Sequence, residues 1–201
     1  MIFKKALCLS MAIGMLFNVG CGDKSKKSSN QEYGNTMIVN SEGLPFSIEF
    51  DSNFLTGEEA SAIVNYYYSI EQQDEELANK CSYPDYLNYL CQTCEFDSIK
   101  DFLKSNYDTM GQVLGTEKYD FKSIKITKCF TTENKDVYTN FDEIDTMLDE
   151  AAEGTSSKIE NRKLVEADII CTSDGKDISL TEKADGQLLY VYTIDGKPYV
   201  L

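Results

Sequence analysis

The stretch "DGQLLYVYTIDGKPYVL", residues 185–201, decides how the chain folds. In an extended conformation Leu188, Tyr190, Tyr192 and Ile194 fall on one face and Leu189 and Val191 on the other. A strand that is apolar on both faces reads as central and covered on both sides. Asp195-Gly196 then interrupts it with the dipeptide that favours a primed two-residue turn, because both central residues must take positive φ. The same pair occurs at Asp174-Gly175 and Asp185-Gly186, between "KLVEADIICTS", "KDISLTEK" and the quoted run. Three such turns in succession predict an antiparallel meander.

Upstream of the meander the periodicity changes from two to nearly four. "PFSIEFD" alternates Phe46, Ile48 and Phe50 with polar residues, as a half-buried strand does. "TGEEASAIVNYYYSIEQQDEELANK" opens with Thr56 and Glu59 at capping-box spacing and repeats Ala60, Ile63, Val64, Tyr67 and Ile70 along one face, which predicts a single long helix. "SYPDYLNYLCQTC" predicts a second helix with Ser82 as cap, Pro84 in the first turn and Tyr83, Leu87, Leu90 and Cys94 on one side. A third runs from Asp97 as cap through Phe102, Leu103, Tyr107 and Met110 to a stop at Gly115. "KYDFKSIKITKCFTT" is a strand whose apolar phase slips between Phe121 and Ile124, the mark of a bulge. "NFDEIDTMLDEAAEG" is a short amphipathic helix capped by Asn140 and stopped at Gly154. Its acids Asp142, Glu143, Asp145, Asp149 and Glu150 radiate from a helix and lack the glycine-centred calcium loop, so they read as a solvated face. Helices first and a meander last give an α+β domain in which N-terminal helices pack on one face of a curved antiparallel sheet.

The first twenty residues are of another kind. Lys4 and Lys5 precede an apolar run of about fourteen residues, Ala6 to Val19, which matches a signal-peptide h-region and is too short to span a bilayer. The run ends in "NVGC", and Val19-Gly20-Cys21 resembles a bacterial lipobox, although Asn18 stands where leucine is usual. That resemblance implies that residues 1–20 are a cleaved signal peptide, that the Cys21 thiol carries lipid, palmitate included, and that the chain is anchored to the cell membrane facing outside the cytoplasm. Residues 22–35, "GDKSKKSSNQEYGN", then read as a disordered tether of up to about 46 Å. Residues 36–201 form one domain, long enough to bury roughly 68–70% of its unfolded surface.

Loss of Lys4 and Lys5 with the signal takes the net charge from −15 to −17. Such a surface repels phosphate, which excludes nucleic acid as a partner and leaves a small molecule or an envelope protein. Eighteen of the nineteen basic residues are lysine, and Arg162 is the sole arginine. Histidine is absent, which excludes serine-histidine and cysteine-histidine catalysis and removes the commonest metal ligand. Cys91 and Cys94 form a C-x-x-C that a redox pair, half a zinc site or a local disulfide would satisfy. The motif closes a helix where a redox site would open one, and no second ligand pair exists for zinc. A structural disulfide between Cys91 and Cys94, or two buried thiols, is the expectation, with no metal and no cofactor.

The signal, "EEASAIVNYYYSIEQQDEEL" as first helix and the terminal "LLYVYTIDGKPYVL" together resemble the bacterial lipoprotein branch of the nuclear transport factor family of cystatin-like cone folds, over residues 56–201. After the last Asp-Gly that family often has tryptophan, where this chain has Lys197, Pro198 and Tyr199. The resemblance implies a cone with a pocket between helices and concave sheet, for which Tyr67, Tyr107, Tyr190 and Tyr192 are the candidate lining, core packing being the ordinary alternative. No residue matches a catalytic pattern of the family, so a non-catalytic ligand-binding or protein-interaction module is the expectation. Some cones are isomerases or dehydratases working with Asp or Glu and Tyr, and Glu166 and Asp168, which alternate with Val165, Ala167 and Ile169, are the carboxylates placed for that alternative.

Overall fold

A capping box starts the helical half of the molecule. The Thr56 hydroxyl accepts from Glu59 N and the Glu59 carboxylate accepts from Thr56 N at 2.8 Å, so two helix-end donors are satisfied reciprocally. The structure, a computed structural model, describes residues 32–134, 139–183 and 187–201. In chain order the described elements are β1 (Met37–Asn40), β2 (Ser47–Asp51), α1 (Gly57–Gln72), α2 (Glu75–Cys81), α3 (Pro84–Thr93), α4 (Ile99–Leu114), β3 (Asp120–Thr131), α5 (Phe141–Ala151), a 3-10 turn (Ser156–Lys158), β4 (Ile159–Ser173), β5 (Lys176–Ser179), β6 (Gln187–Ile194) and β7 (Lys197–Val200). They build a mixed α+β fold around one open sheet, ordered β1-β2-β3-β4-β6-β7 with β5 also paired to β4.

The expected long first helix is two. Gln73 adopts a left-handed conformation (φ 52°) after α1, and Asp74 caps α2 by accepting from Leu77 N at 3.0 Å. Ser98, not Asp97, caps α4, because its hydroxyl accepts from Asp101 N. Gly115 stops that helix as expected, in the left-handed region at φ 77°. Tyr83 rather than Ser82 occupies the cap of α3, and neither it nor Asn140 before α5 makes a side-chain cap. Helix α5 ends at Ala151, ahead of Gly154.

Of the sheet, β3, β4, β6 and β7 are antiparallel neighbours, whereas β2 runs parallel to β3, so the sheet is mixed rather than a pure meander. The anticipated bulge lies between Phe121 and Ser123, and a second lies between Ile126 and Lys128. Together they keep Phe121, Ile124, Ile126 and Cys129 buried. Asp174-Gly175 and Asp195-Gly196 are hairpin turns with positive φ at both residues. Asp185-Gly186 lies outside the described residues, and the strands flanking it do not form the expected hairpin. β5 pairs with Ile170–Ser173 and β6 with Ile159–Ala167, both antiparallel to β4, so they lie in line along the same edge of β4. Thr181 bridges the gap by accepting from Ile169 N and donating to Ala167 O through its hydroxyl.

The helices do not share one face. Lys163 and Arg162 are adjacent on β4 and so point to opposite sides. Lys163 is bound by Glu59 of α1 and Arg162 by Asp145 of α5. Helix α1 therefore covers one face and α5 the other, where Phe141 packs on Tyr190 and Tyr192. This two-sided cover gives β6 the double apolar pattern that its sequence carries. The space between α1 and the sheet is occupied by side chains: Ile48, Ile63, Ile70, Ile126, Val165 and Ile169 are fully buried, and Tyr67 is 1% exposed.

Candidate functional site

The four candidate pocket tyrosines do not converge. Tyr67 packs on Phe121 with centroids 5.1 Å apart, and Tyr107 of α4 stacks on Tyr119 at 4.4 Å and 8°. These belong to the α1 face. Tyr190 and Tyr192 lie across the sheet against Phe141. Their phenols serve the core: Tyr107 donates to Tyr119 O at 2.8 Å and Tyr192 to Phe141 O at 3.4 Å. Burial pushes the Tyr67 and Tyr192 hydroxyls well above the ordinary phenol range, so both stay protonated.

The carboxylates are spoken for in the same way. Lys163 Nζ lies 2.6 and 2.7 Å from the two oxygens of Glu59, and both side chains are buried. Glu166 accepts from Lys128 Nζ at 2.9 Å and from the Thr127 hydroxyl at 3.2 Å, on the α5 side of the sheet. Asp168 is half-buried on that same side, opposite Lys125, which pairs with Glu49 at 2.9 Å. Glu166 and Asp168 thus belong to a row of surface charges. Asp51 accepts from Gly34 N at 2.7 Å, Asn53 N at 2.9 Å and the Thr36 hydroxyl. Burial pushes its carboxyl up, but these bonds outweigh burial and hold it below the usual range. Its role is to pin the start of the domain. Tyr33 helps by packing its ring, tilted by 49°, 5.0 Å from Phe54 and donating to Ile126 O, so folded structure begins ahead of residue 36.

No disulfide joins the five described cysteines, all of them buried thiols, Cys91 and Cys94 included. Desolvation pushes Cys91 up to about 11 and Cys81, Cys129 and Cys171 up to about 12. Such thiols are poor nucleophiles at neutral pH. Among the described residues no three Cys, Asp or Glu side chains converge as a metal cage. Residues 1–31, on which the expected signal peptide, the Cys21 lipid site and most of the expected tether fall, lie outside the described residues.

The surface offers two features. An open groove of about 790 Å³ runs between Ser61, Ala62 and Asn65 of α1, Lys80 and Cys81 of α2, and Lys197 and Pro198 of β7. Its two cations are engaged, Lys80 by Glu76 at 2.6 Å and Lys197 over the Tyr199 ring at 4.8 Å. The second feature is the outer edge of β1. Ser52 N donates to Thr36 O, which sets the ladder phase: Ile38 and Asn40 bond inward to β2, while the backbone groups of Met37 and Val39 point outward. Ile38 is 44% and Val39 68% exposed, the two exposed large apolar side chains among the described residues.

No family model, curated protein or solved structure matches this chain. The strand edges of the sheet differ in how they are protected. β7 carries Lys197 and Pro198, and since Leu201 N donates to Tyr190 O, the missing proline N–H falls on the outward side. β5 begins Lys176-Asp177. β1 reads Met-Ile-Val-Asn, with neither charge nor proline. This segment leaves no mark in the sequence, because the four residues of β1 are too few for a periodicity to register.

Proposed function

We propose that the chain is a membrane-anchored extracytoplasmic lipoprotein whose folded domain is a non-catalytic protein-interaction module. The observation that carries this reading is the filled interior. Ile48, Ile63, Ile126, Val165 and Ile169, fully buried, and Tyr67 at 1% exposure fill the space between α1 and the sheet that a cone ligand would need, so recognition falls to the surface. Exposed apolar side chains on an unprotected strand edge supply such a surface. A cystatin-like cone is supported by helix α1 packing on the sheet against β2, β3 and β7, by the two bulges of β3, and by the order helices, long strand, short helix, hairpins. The isomerase alternative draws no support from Glu166 and Asp168, which lie on a solvated face among lysines.

Two measurements test the proposal. Expressed with its signal in a bacterial host, the chain should partition into detergent and incorporate labelled palmitate, and Cys21→Ala should abolish both. Detergent partitioning that survives Cys21→Ala removes the anchor. The purified chain, screened against small carbonyl and hydroxy compounds, should show no turnover. Activity lost in Glu166→Gln or Asp168→Asn would replace the interaction reading with the enzymatic one.

A further inference from the structure

We infer that the outer edge of β1 is a strand-addition site for an extended, basic segment of another protein. The inference rests on the interaction-module reading and names the surface and the partner chemistry.

An open edge is a row of unpaired donors and acceptors, and soluble proteins blunt such rows with charge, proline, short length or cover. In this molecule the two other edges carry those devices: Lys197 and Pro198 on β7, Lys176 and Asp177 on β5. β1 carries none beyond its shortness, and its exposed side chains are Ile38 and Val39. The outward N–H and C=O groups of Met37 and Val39 stand ready for an added strand. Val39 shares a face with Glu49 and Ile38 with Phe50, so alternate residues of the added strand meet an apolar contact on each side of the sheet.

Charge selects the occupant. No lysine or arginine occurs between Lys27 and Lys80, a span that includes β1, β2, α1 and the start of α2. Glu42, exposed, follows β1 by two residues, Glu32, also exposed, precedes it by five, and Glu49 lies beside it on β2. Lys125 reaches Glu49 from β3, and among the described residues no ion pair engages Glu32 or Glu42. A segment with apolar residues in its middle and Lys or Arg at its ends satisfies both the edge and its rim. A second copy satisfies only the edge, because it brings no basic residue from positions 28–79 to the rim and carries the same net charge of −15.

The test uses the full-length chain in detergent micelles and a short fluorescein-labelled peptide of alternating valine and threonine, flanked by lysines. Fluorescence anisotropy should show binding that weakens as salt rises and that is at least about tenfold tighter than for the same peptide flanked by glutamates. N-methylation of alternate peptide residues should abolish it, since strand addition needs the peptide's own N–H groups; this arm leaves the protein untouched. Val39→Pro, which removes an outward donor, should also abolish it. Equal binding of the N-methylated or glutamate-flanked peptide, or no binding of any peptide, overturns the inference, as does sedimentation showing a dimer that Val39→Pro dissolves. If cross-linking in cells traps the same protein partner on wild type and on Val39→Pro, the β1 site fails while the interaction module stands.

Discussion

Glu59 shows how much a single carboxylate holds in place. One of its oxygens closes the α1 capping box on Thr56 N at 2.8 Å, and both take Lys163 Nζ at 2.6 and 2.7 Å. The pair ties the first turn of α1 to the middle of the sheet across 104 residues of chain. Each charge would be costly to bury alone, so Lys163→Met is expected to destabilise by about 3–5 kcal/mol, and Glu59→Gln added to it should recover most of the loss. Urea denaturation of the two variants decides this; equal midpoints for single and double would mean that the pair is not the buried unit described. Glu59 was legible as a cap from its spacing to Thr56. Its partner was not, because Lys163 reads as one more polar residue of "NRKLVEAD", and nothing local says that it faces inward.

At the scale of elements, the break between α1 and α2 has a price that a substitution can reveal. Gln73 sits at φ 52°, a conformation that disfavours a residue with Cβ by roughly 1–2 kcal/mol, partly offset by glycine's freedom in the unfolded chain. Gln73→Gly is expected to raise stability by up to about 1 kcal/mol, and β-branched Gln73→Val to lower it. A thermal midpoint that falls with Gly would contradict the left-handed joint. The apolar stripe from Ala60 to Ile70 made α1 readable, and the phase slip from Phe121 to Ile124 made the first bulge of β3 readable. The sequence "QQDEE" contains an acceptable cap in Asp74, but its helix-forming neighbours hide it. Likewise, an Asp-Gly pair states that a turn is favourable and not which strand lies beyond it. Hence β5 and β6 were expected side by side and instead lie end to end on β4.

For the whole molecule, packing sets the chemistry of the cysteines and, with it, a pH dependence. Four thiols are raised by burial: Cys91 to about 11, and Cys81, Cys129 and Cys171 to about 12. A raised thiol stays protonated in the fold while the unfolded chain releases its proton above about 8.5. The native state then binds more protons, and stability falls as pH rises. The melting temperature is expected to drop steadily between pH 8 and pH 10, and native thiols should react with a disulfide reagent only on unfolding; a flat profile with fast native labelling would mean that the thiols are accessible. Composition and local pattern by themselves determined the net negative charge, the absence of histidine, the α+β class and most element positions, because these depend on residue counts or on residues within a turn or two of one another. Only the tertiary structure decided that helices cover both faces of the sheet, that the four tyrosines lie in separate parts of the core, that Lys163 meets Glu59, and that β1 is left as the bare edge. Those features depend on which side chains meet across tens of residues, and the free energy of burial and pairing that selects among such meetings is a property of the assembled core rather than of any segment.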